Sequence, residues 1–429
     1  MSVEVKTPSS PKLTIMGMPA VYFLIASVAV IGASYMKLLP KGMIGAFAYL
    51  IILGTIAGLL GDNIPVVKDY LGGGPIVAVF GSAYMVYAGL MPKDTIKIVT
   101  DFMTGMGFLD FYIAALICGS ILGMDSKLLV KAGARYVWPL LGGVIVSFGF
   151  AAILGGVIGY GWREALTQIA MPIMGGGMGA GAVPMSQIYA KSLGKDAQYY
   201  LSVLVPALAL GNALSIVFAG LLDRLGKIKP EWTGNGLIMQ GFTLTKGIES
   251  KMNYAQMGAG LLVSTVFFIT GILLAKIIPI HSYALMIITV AICKIFGLVP
   301  RYVEEGTNQW YQFVAKNFTL ALLVGVGVAY TDLKTVLAAL TPQYILIDLF
   351  VVIGAIVGAG YVGKLVGFYP IEAALTAGLC MANMGGTGDV AVLSAANRME
   401  LMPFGQISSR LGGALILIIA GILVPLLGS

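Results

Sequence analysis

Residues 381–421 read MANMGGTGDVAVLSAANRMELMPFGQISSRLGGALILIIAG. The last third of this stretch is apolar enough to cross a bilayer. Yet the stretch also brings GGTG, an Asp, two Arg and a Glu into the same neighbourhood. The whole chain points to lipid: of its 429 residues 58% are hydrophobic and only 10% are charged, where a soluble domain carries about 25% charged residues. Charge and glycine at membrane depth are costly, so here they need a reason.

Roughly eleven apolar segments are long enough to cross a ~30 Å hydrocarbon core, which predicts an all-α integral membrane protein. They begin near Met18, Met43, Pro75, Gly107, Val137, Tyr199, Gln256, Ser282, Phe318, Tyr344 and Pro403. Residues 1–16 form a polar tail without the features of a cleavable signal, so the first apolar run, 17–42, reads as a retained helix. Stretches 168–190 and 371–395 are apolar but broken by glycine, which suits re-entrant hairpins better than full spans. Basic residues gather in the loop at 125–135 (Lys127, Lys131, Arg135) and in the loop at 223–255 (Arg224, Lys227, Lys229, Lys246, Lys251). Placing both in the cytoplasm puts the N-terminus inside and the C-terminus outside, with Lys93 and Lys97 then outside. The net charge of +7 therefore reflects topology and calls for no nucleic acid. Cys118, Cys293 and Cys380 sit in apolar context, with neither a disulfide framework nor zinc spacing.

The two halves of the chain echo one another. FYIAALICGSILGMDSK at 111–127 matches FTLALLVGVGVAYTDLK at 318–334 with Phe, Asp and Lys at one offset, 207. GGMG at 176–179 meets GGTG at 385–388, and GNALSIVFAGLL at 211–222 meets GGALILIIAGIL at 412–423. The division expected is a cytoplasmic tail (1–16), an extra helix (17–42), a first repeat (43–222), a cytoplasmic linker (223–255) and a second repeat (256–429). Five spans per repeat is an odd number, so the repeats would lie inverted in the bilayer. That is a secondary-transporter architecture with its site near the midplane.

The glycine motifs would break their helices into halves joined by exposed backbone. Such backbone is tolerated at depth only when buried in protein or facing a water-filled cavity. Half-helix N-termini carry free N–H groups and partial positive charge, which suits a carboxylate. Close packing of helices through small residues is the competing explanation. Arg410 lies some eight residues into the last span, and its planar fork of donors matches a carboxylate. Asp389, directly after GGTG, is placed to coordinate a cation, carry a proton or cap the following half-helix. Asp110 is a second candidate acid. Asn383, Thr387, Ser408 and Ser409 offer neutral hard oxygens for a monovalent cation. Arg398 and Glu400 read as a surface pair, and His281 as a lone residue opening a span. No nucleophile–histidine pair, metal cluster or phosphate loop is present, which argues against an enzyme.

GGGMGAGAVPMSQIY at 175–189 and MGGTGDVAVLSAANRMELMPFGQISSRLGGALILI at 384–418 resemble the 2-hydroxycarboxylate transporter family, bacterial symporters and exchangers for citrate, malate and lactate. YLGGGPI at 70–76 and SILGMDSKLLVKAGARY at 120–136 extend the likeness over nearly the whole chain. The resemblance implies eleven spans, two re-entrant hairpins, a homodimer in the bacterial cell membrane, and a transport domain that slides past a fixed scaffold. It implies that Arg410 binds a substrate carboxylate, with Ser408 or Ser409, and that Gly176, Gly177, Met178, Gly179, Met384, Gly385, Gly386, Thr387 and Gly388 form the hairpin tips lining the site. It further implies that Cys380, Asn383, Ser409, Asp389 and Asp110 surround Na+. Proton-using members can carry Asn at the Asp389 position, so retaining the acid favours sodium. Citrate-specific members carry Arg where this chain has Met384, and Asn where it has Met178. One fixed positive charge is thus missing, and an unpaired third carboxylate would carry a heavy desolvation cost. The expected cargo is a dicarboxylate, L-malate first, taken up with sodium. A proton-coupled citrate/malate symporter and a malate/lactate exchanger are the alternatives.

Overall fold

Capping side chains and prolines set the helix boundaries. In the computed structural model, which describes residues 14–65, 67–68, 73–123, 135–239, 252–278 and 282–427, Asp196 accepts the Tyr199 N–H at 2.8 Å and starts a helix at Ala197. Asn253 does the same for Ala255 and Gln256, and Thr341 for Tyr344 with Pro342 at the first helical position. The helices are α1 (Ala20–Tyr35), α2 (Met43–Asn63), α3 (Gly74–Tyr87), α4 (Lys93–Gly105), α5 (Phe108–Leu122), α6 (Val137–Val157), α7 (162–173), α8 (178–193) and α9 (Ala197–Ile228). They continue as α10 (Tyr254–Leu274), α11 (Ser282–Ile295), α12 (Arg301–Ala329), α13 (Leu333–Ala339), α14 (Pro342–Leu365), α15 (370–379), α16 (Gly386–Ala395) and α17 (Met399–Leu427). A two-residue antiparallel pair, Thr14–Ile15 with Met18–Pro19, precedes them.

Among the described residues seven helices are long and apolar enough to cross a membrane: α2, α6, α9, α10, α12, α14 and α17. The pair α4–α5, bent by 47°, makes an eighth. The segments expected near Met18, Pro75 and Ser282 form the shorter apolar helices α1, α3 and α11. The span expected at Phe318 begins much earlier, at Arg301. Its polar front stays helical because its charges are met: Glu304 pairs with Lys294 at 2.9 Å, and Glu305 with Arg301 one turn away. The linker expected from 223 begins only after Ile228, with Arg224 and Lys227 still on α9. Lys127, Lys131, Lys246, Lys251 and His281 lie outside the described residues.

Packing sorts the helices into two bundles, each drawing on both halves of the chain. α2–α5 pack with α10–α12, while α6–α9 pack with α14–α17. The tightest crossing joins α6 to α14, where small residues let the backbones meet. A Cβ on Gly142 would lie 2.8 Å from the Gly358 carbonyl oxygen, and Ser147 Oγ donates to the Val351 carbonyl at 2.9 Å. Residues 207 positions apart touch in three places. Tyr112 and Thr319 hydroxyls hydrogen-bond at 2.7 Å. Gly354 packs on Ser147, and Gly177 on Met384, with 354 − 147 and 384 − 177 both equal to 207.

Arg398 is not the surface residue its sequence context suggested. Only Glu400 of that pair is exposed. Arg398 is 7% exposed, and its guanidinium donates to Asp223 at 3.0 Å, at the end of α9, and lies 3.5 Å from Glu372 on α15. Glu372 is fully buried and also accepts from Thr233 Oγ1 and the Gly234 N–H, at 2.7 and 2.9 Å. The partners lie far away in sequence, so the local reading missed them. Arg398→Ala removes the counter-charge of a buried carboxylate and is expected to destabilise the fold by about 3–5 kcal/mol. Thermal unfolding in detergent reads this as a clear drop in midpoint, while Glu400→Ala leaves the midpoint in place.

Candidate functional site

Each bundle-two hairpin turns on glycine. The first turn joins α7 to α8 through Gly175–Gly177, and the second joins α15 to α16 through 380–385. Gly176, Gly177 and Gly385 have φ of +76°, +116° and +80°, a region that L side chains seldom occupy. The two turns touch: a Cβ on Gly177 would lie 2.7 Å from the Met384 carbonyl oxygen, and one on Gly176 would collide with the Ser409 carbonyl oxygen. Neither α8 nor α16 has a side-chain cap, and the first intrahelical bonds come from Gly181 to Gly177 and from Asp389 to Gly385. The preceding N–H groups of both helices have no intrahelical acceptor, and those of Met178, Gly179 and Gly386 belong to residues that line the cavity described next.

A cavity of about 1640 Å³ lies between the bundles and reaches both turns. Gly176, Gly177, Met178, Gly179, Met384, Gly385, Gly386, Asp389, Ser409 and Arg410 line it. Gly388 does not, because it packs on Asn212 and Asn383. The Thr387 side chain lies outside the described atoms. Arg410 sits in a widened π-helical turn, Ser408–Gly412, within α17, a feature often found at functional sites. Its guanidinium stacks on Tyr311 of α12 at 5.0 Å from the ring centre and donates to the Tyr311 hydroxyl at 3.3 Å. Among the described residues no carboxylate lies within 4.0 Å of it. A buried structural ion pair is therefore not what places this arginine. The charge faces the cavity with donors to spare.

Asp389, Asn383 and Ser409 converge at the foot of the second turn. Asn383 Nδ2 donates to Asp389 Oδ1 at 3.0 Å, and Ser409 Oγ to Asp389 Oδ2 at 2.8 Å. Asn383 Oδ1 accepts the Gly385 N–H at 2.7 Å, so the same side chain shapes the turn. Cys380, fully buried, faces the same carboxylate. Asp389 is fully buried among neutral polar groups rather than capping α16. One carboxylate with neutral oxygens suits a monovalent cation. Among the described residues no group of three or more His, Cys, Asp and Glu could hold a metal.

Two expected members are elsewhere. Asp110 accepts from the Tyr283 hydroxyl at 2.6 Å and lines a separate small pocket with Gln187 and Lys191. It does not join Asp389, because it opens α5 in bundle one and is held by α11. Ser408 is fully buried off the cavity, where its hydroxyl shares a 2.7 Å hydrogen bond with Tyr136. One residue along a helix turns a side chain by about 100°, so Ser409 faces the site while Ser408 faces the core. Asn212 was missed. It is fully buried on α9, its Oδ1 accepts the Met384 N–H at 3.1 Å, and its Nδ2 has no partner among the described residues. An asparagine in the middle of LALGNALSIV was the available signal. Tyr311 was missed because it lies ahead of the span expected from Phe318, in the polar front of α12.

Comparison with known proteins agrees with this geometry. Residues 15–422 match the profile of the 2-hydroxycarboxylate transporter family. A protein named citrate transporter CitP from Leuconostoc mesenteroides subsp. mesenteroides is 40% identical over 417 residues, 96% of this chain and 94% of its own. A Na(+)-malate symporter from Bacillus subtilis is 39% identical over 412 residues, covering 95% of this chain and 91% of its own. A citrate/sodium symporter from Klebsiella pneumoniae is 37% identical over 418 residues, 95% of this chain and 94% of its own. The chain therefore belongs to the 2-hydroxycarboxylate transporter family and is a multi-pass membrane transporter, not an enzyme.

Proposed function

We propose that this protein imports a 2-hydroxy-dicarboxylate, L-malate foremost, in symport with sodium, by alternating access in which bundle two slides past bundle one. The observation that carries the reading is the unpaired Arg410 guanidinium beside two uncapped helix N-termini, with a carboxylate-centred polar cluster directly behind it. Malate binds Arg410, Ser409 and the free N–H groups of the turns. Sodium binds at Asp389 with Asn383 and Ser409, bordered by Cys380, displacing the donors now bonded to the carboxylate. A fully loaded site carries less uncompensated charge and moves at lower cost.

The topology proposed with it has eleven spans: the extra helix of 17–42, then two inverted repeats, the first running from 43 to the end of α9 at Ile228 and the second from α10 onward, on either side of the linker. The hairpins are re-entrant, the N-terminus is cytoplasmic and the C-terminus outside, and the carrier is a homodimer in a bacterial cell membrane. Contacts between positions 207 apart support the repeats, because a two-fold axis that exchanges the halves brings equivalent residues together where it passes. The cavity is lined at one end by Asp62, Arg224 and Lys227, near the ends of α2 and α9 that this topology places in the cytoplasm. The conformation is inward-facing on that reading.

Asp389→Asn tests the cation assignment. It keeps the shape of the cluster and removes its charge, so sodium activation of malate uptake is expected to shift to at least about tenfold higher sodium, a loss of about 1.4 kcal/mol. Unchanged sodium dependence would remove Asp389 from the site. A proton-coupled carrier or a malate/lactate exchanger is the second reading, favoured by the fact that Asp389 is itself protonatable and has no fixed cation within 4.0 Å.

A further inference from the structure

Lys316 is an unassigned charge in the cavity wall. It sits one residue past the midpoint of the 29-residue helix α12, is exposed, and lines the cavity. Among the described residues it has no hydrogen-bond or ion-pair partner. A lysine halfway along a membrane helix is costly unless it faces water or a ligand, and this one faces the cavity. Its neighbours along α12 fix its level. Tyr311, five residues before, holds Arg410. Thr319, three residues after, bonds Tyr112, whose ring packs on Gly179 of the first turn. Lys316 therefore lies, along the helix axis, between the level of Tyr311 and the level of Thr319, in the wall of the cavity that Arg410 also lines.

Charge counting says what it does. Arg410 matches one carboxylate of a diacid, and the Asp389 charge is matched by the cation. Met384 and Met178, which line the cavity at the two turns, bring no charge to the second carboxylate. Tyr311 and Lys316 are about 7.5 Å apart along the helix axis at 1.5 Å per residue. Around the axis they are about 140° apart, so the contact requires the long, flexible lysine side chain to extend into the cavity that both it and Arg410 line. We propose that Lys316 Nζ binds the second carboxylate of the cargo and thereby selects dicarboxylates over monocarboxylates. This rests on the reading of the site as a 2-hydroxycarboxylate site centred on Arg410. As a compact, flexible point charge, Lys316 tolerates diacids of different length better than a rigid guanidinium would.

The test compares L-malate with L-lactate, which shares the hydroxy-acid end and lacks the second carboxylate. Binding of each to purified wild type, Lys316→Gln, Lys316→Arg and Arg410→Ala is measured in sodium buffer by calorimetry or by protection against thermal unfolding. The expected result is at least a tenfold loss of malate affinity in Lys316→Gln with lactate affinity unchanged, and partial recovery of malate binding in Lys316→Arg. Equal loss for both acids, or no loss for either, would overturn the assignment. Arg410→Ala separates this from the underlying reading. If it leaves both affinities intact, the arginine-centred site itself is wrong, whereas loss of both acids there with no malate loss in Lys316→Gln retires Lys316 alone.

Discussion

Arg410→Ala is expected to lower L-malate affinity by at least about 100-fold and to abolish uptake, while the protein still folds. Removing one partner of a desolvated, hydrogen-bonded charge pair costs about 2–5 kcal/mol, and each 1.4 kcal/mol is about a factor of ten. The guanidinium gives little to the folded core beyond its stacking on Tyr311 and a 3.3 Å hydrogen bond to the Tyr311 hydroxyl, since no carboxylate among the described residues lies within 4.0 Å of it. The unfolding midpoint should therefore stay close to wild type. Arg410→Lys keeps the charge but loses the planar fork, so its affinity should fall between the two. Normal malate affinity in Arg410→Ala would remove the anion site from this position.

Gly177→Ala is expected to cut transport at least about tenfold without touching any polar group. Gly177 has φ of +116°, and a Cβ there would sit 2.7 Å from the Met384 carbonyl oxygen on the opposite turn. Strain of about 1–3 kcal/mol at such a backbone is relieved only by moving one turn from the other. That displaces the free N–H groups that would face the substrate. Gly149→Ala, on α6 with open space around the new methyl and ordinary φ, is the matched control and should transport normally. Equal transport by both variants would mean that the contact between the turns has no functional role.

Most of the proposed binding centre was legible because the membrane makes polar residues conspicuous. Arg410, Asp389, Asn383 and the glycine turns stand out against an apolar chain, and each occupies the cavity or the cluster behind it. The offset of 207 read from one matched block, 111–127 with 318–334, reappears as three physical contacts. The losses have specific causes. Ser408 and Ser409 are adjacent, and only the helix phase tells which one faces the core. Asp110 carries the same chemistry as Asp389 but is engaged by Tyr283, a partner 173 residues away. Arg398 was misjudged for the same reason, since its carboxylates come from α9 and α15. The polar front of α12 resembles a loop in composition, which concealed both Tyr311 and Lys316. Hydropathy reports the average surroundings of a segment, whereas these residues line an aqueous cavity on one face of a membrane helix.

Radiolabelled L-malate uptake into proteoliposomes tests the central claim most directly, with an inward sodium gradient and an inward proton gradient imposed separately. The account predicts accumulation above equilibrium under the sodium gradient alone, lost in Arg410→Ala. Accumulation under the proton gradient alone, with sodium absent on both sides, would contradict it.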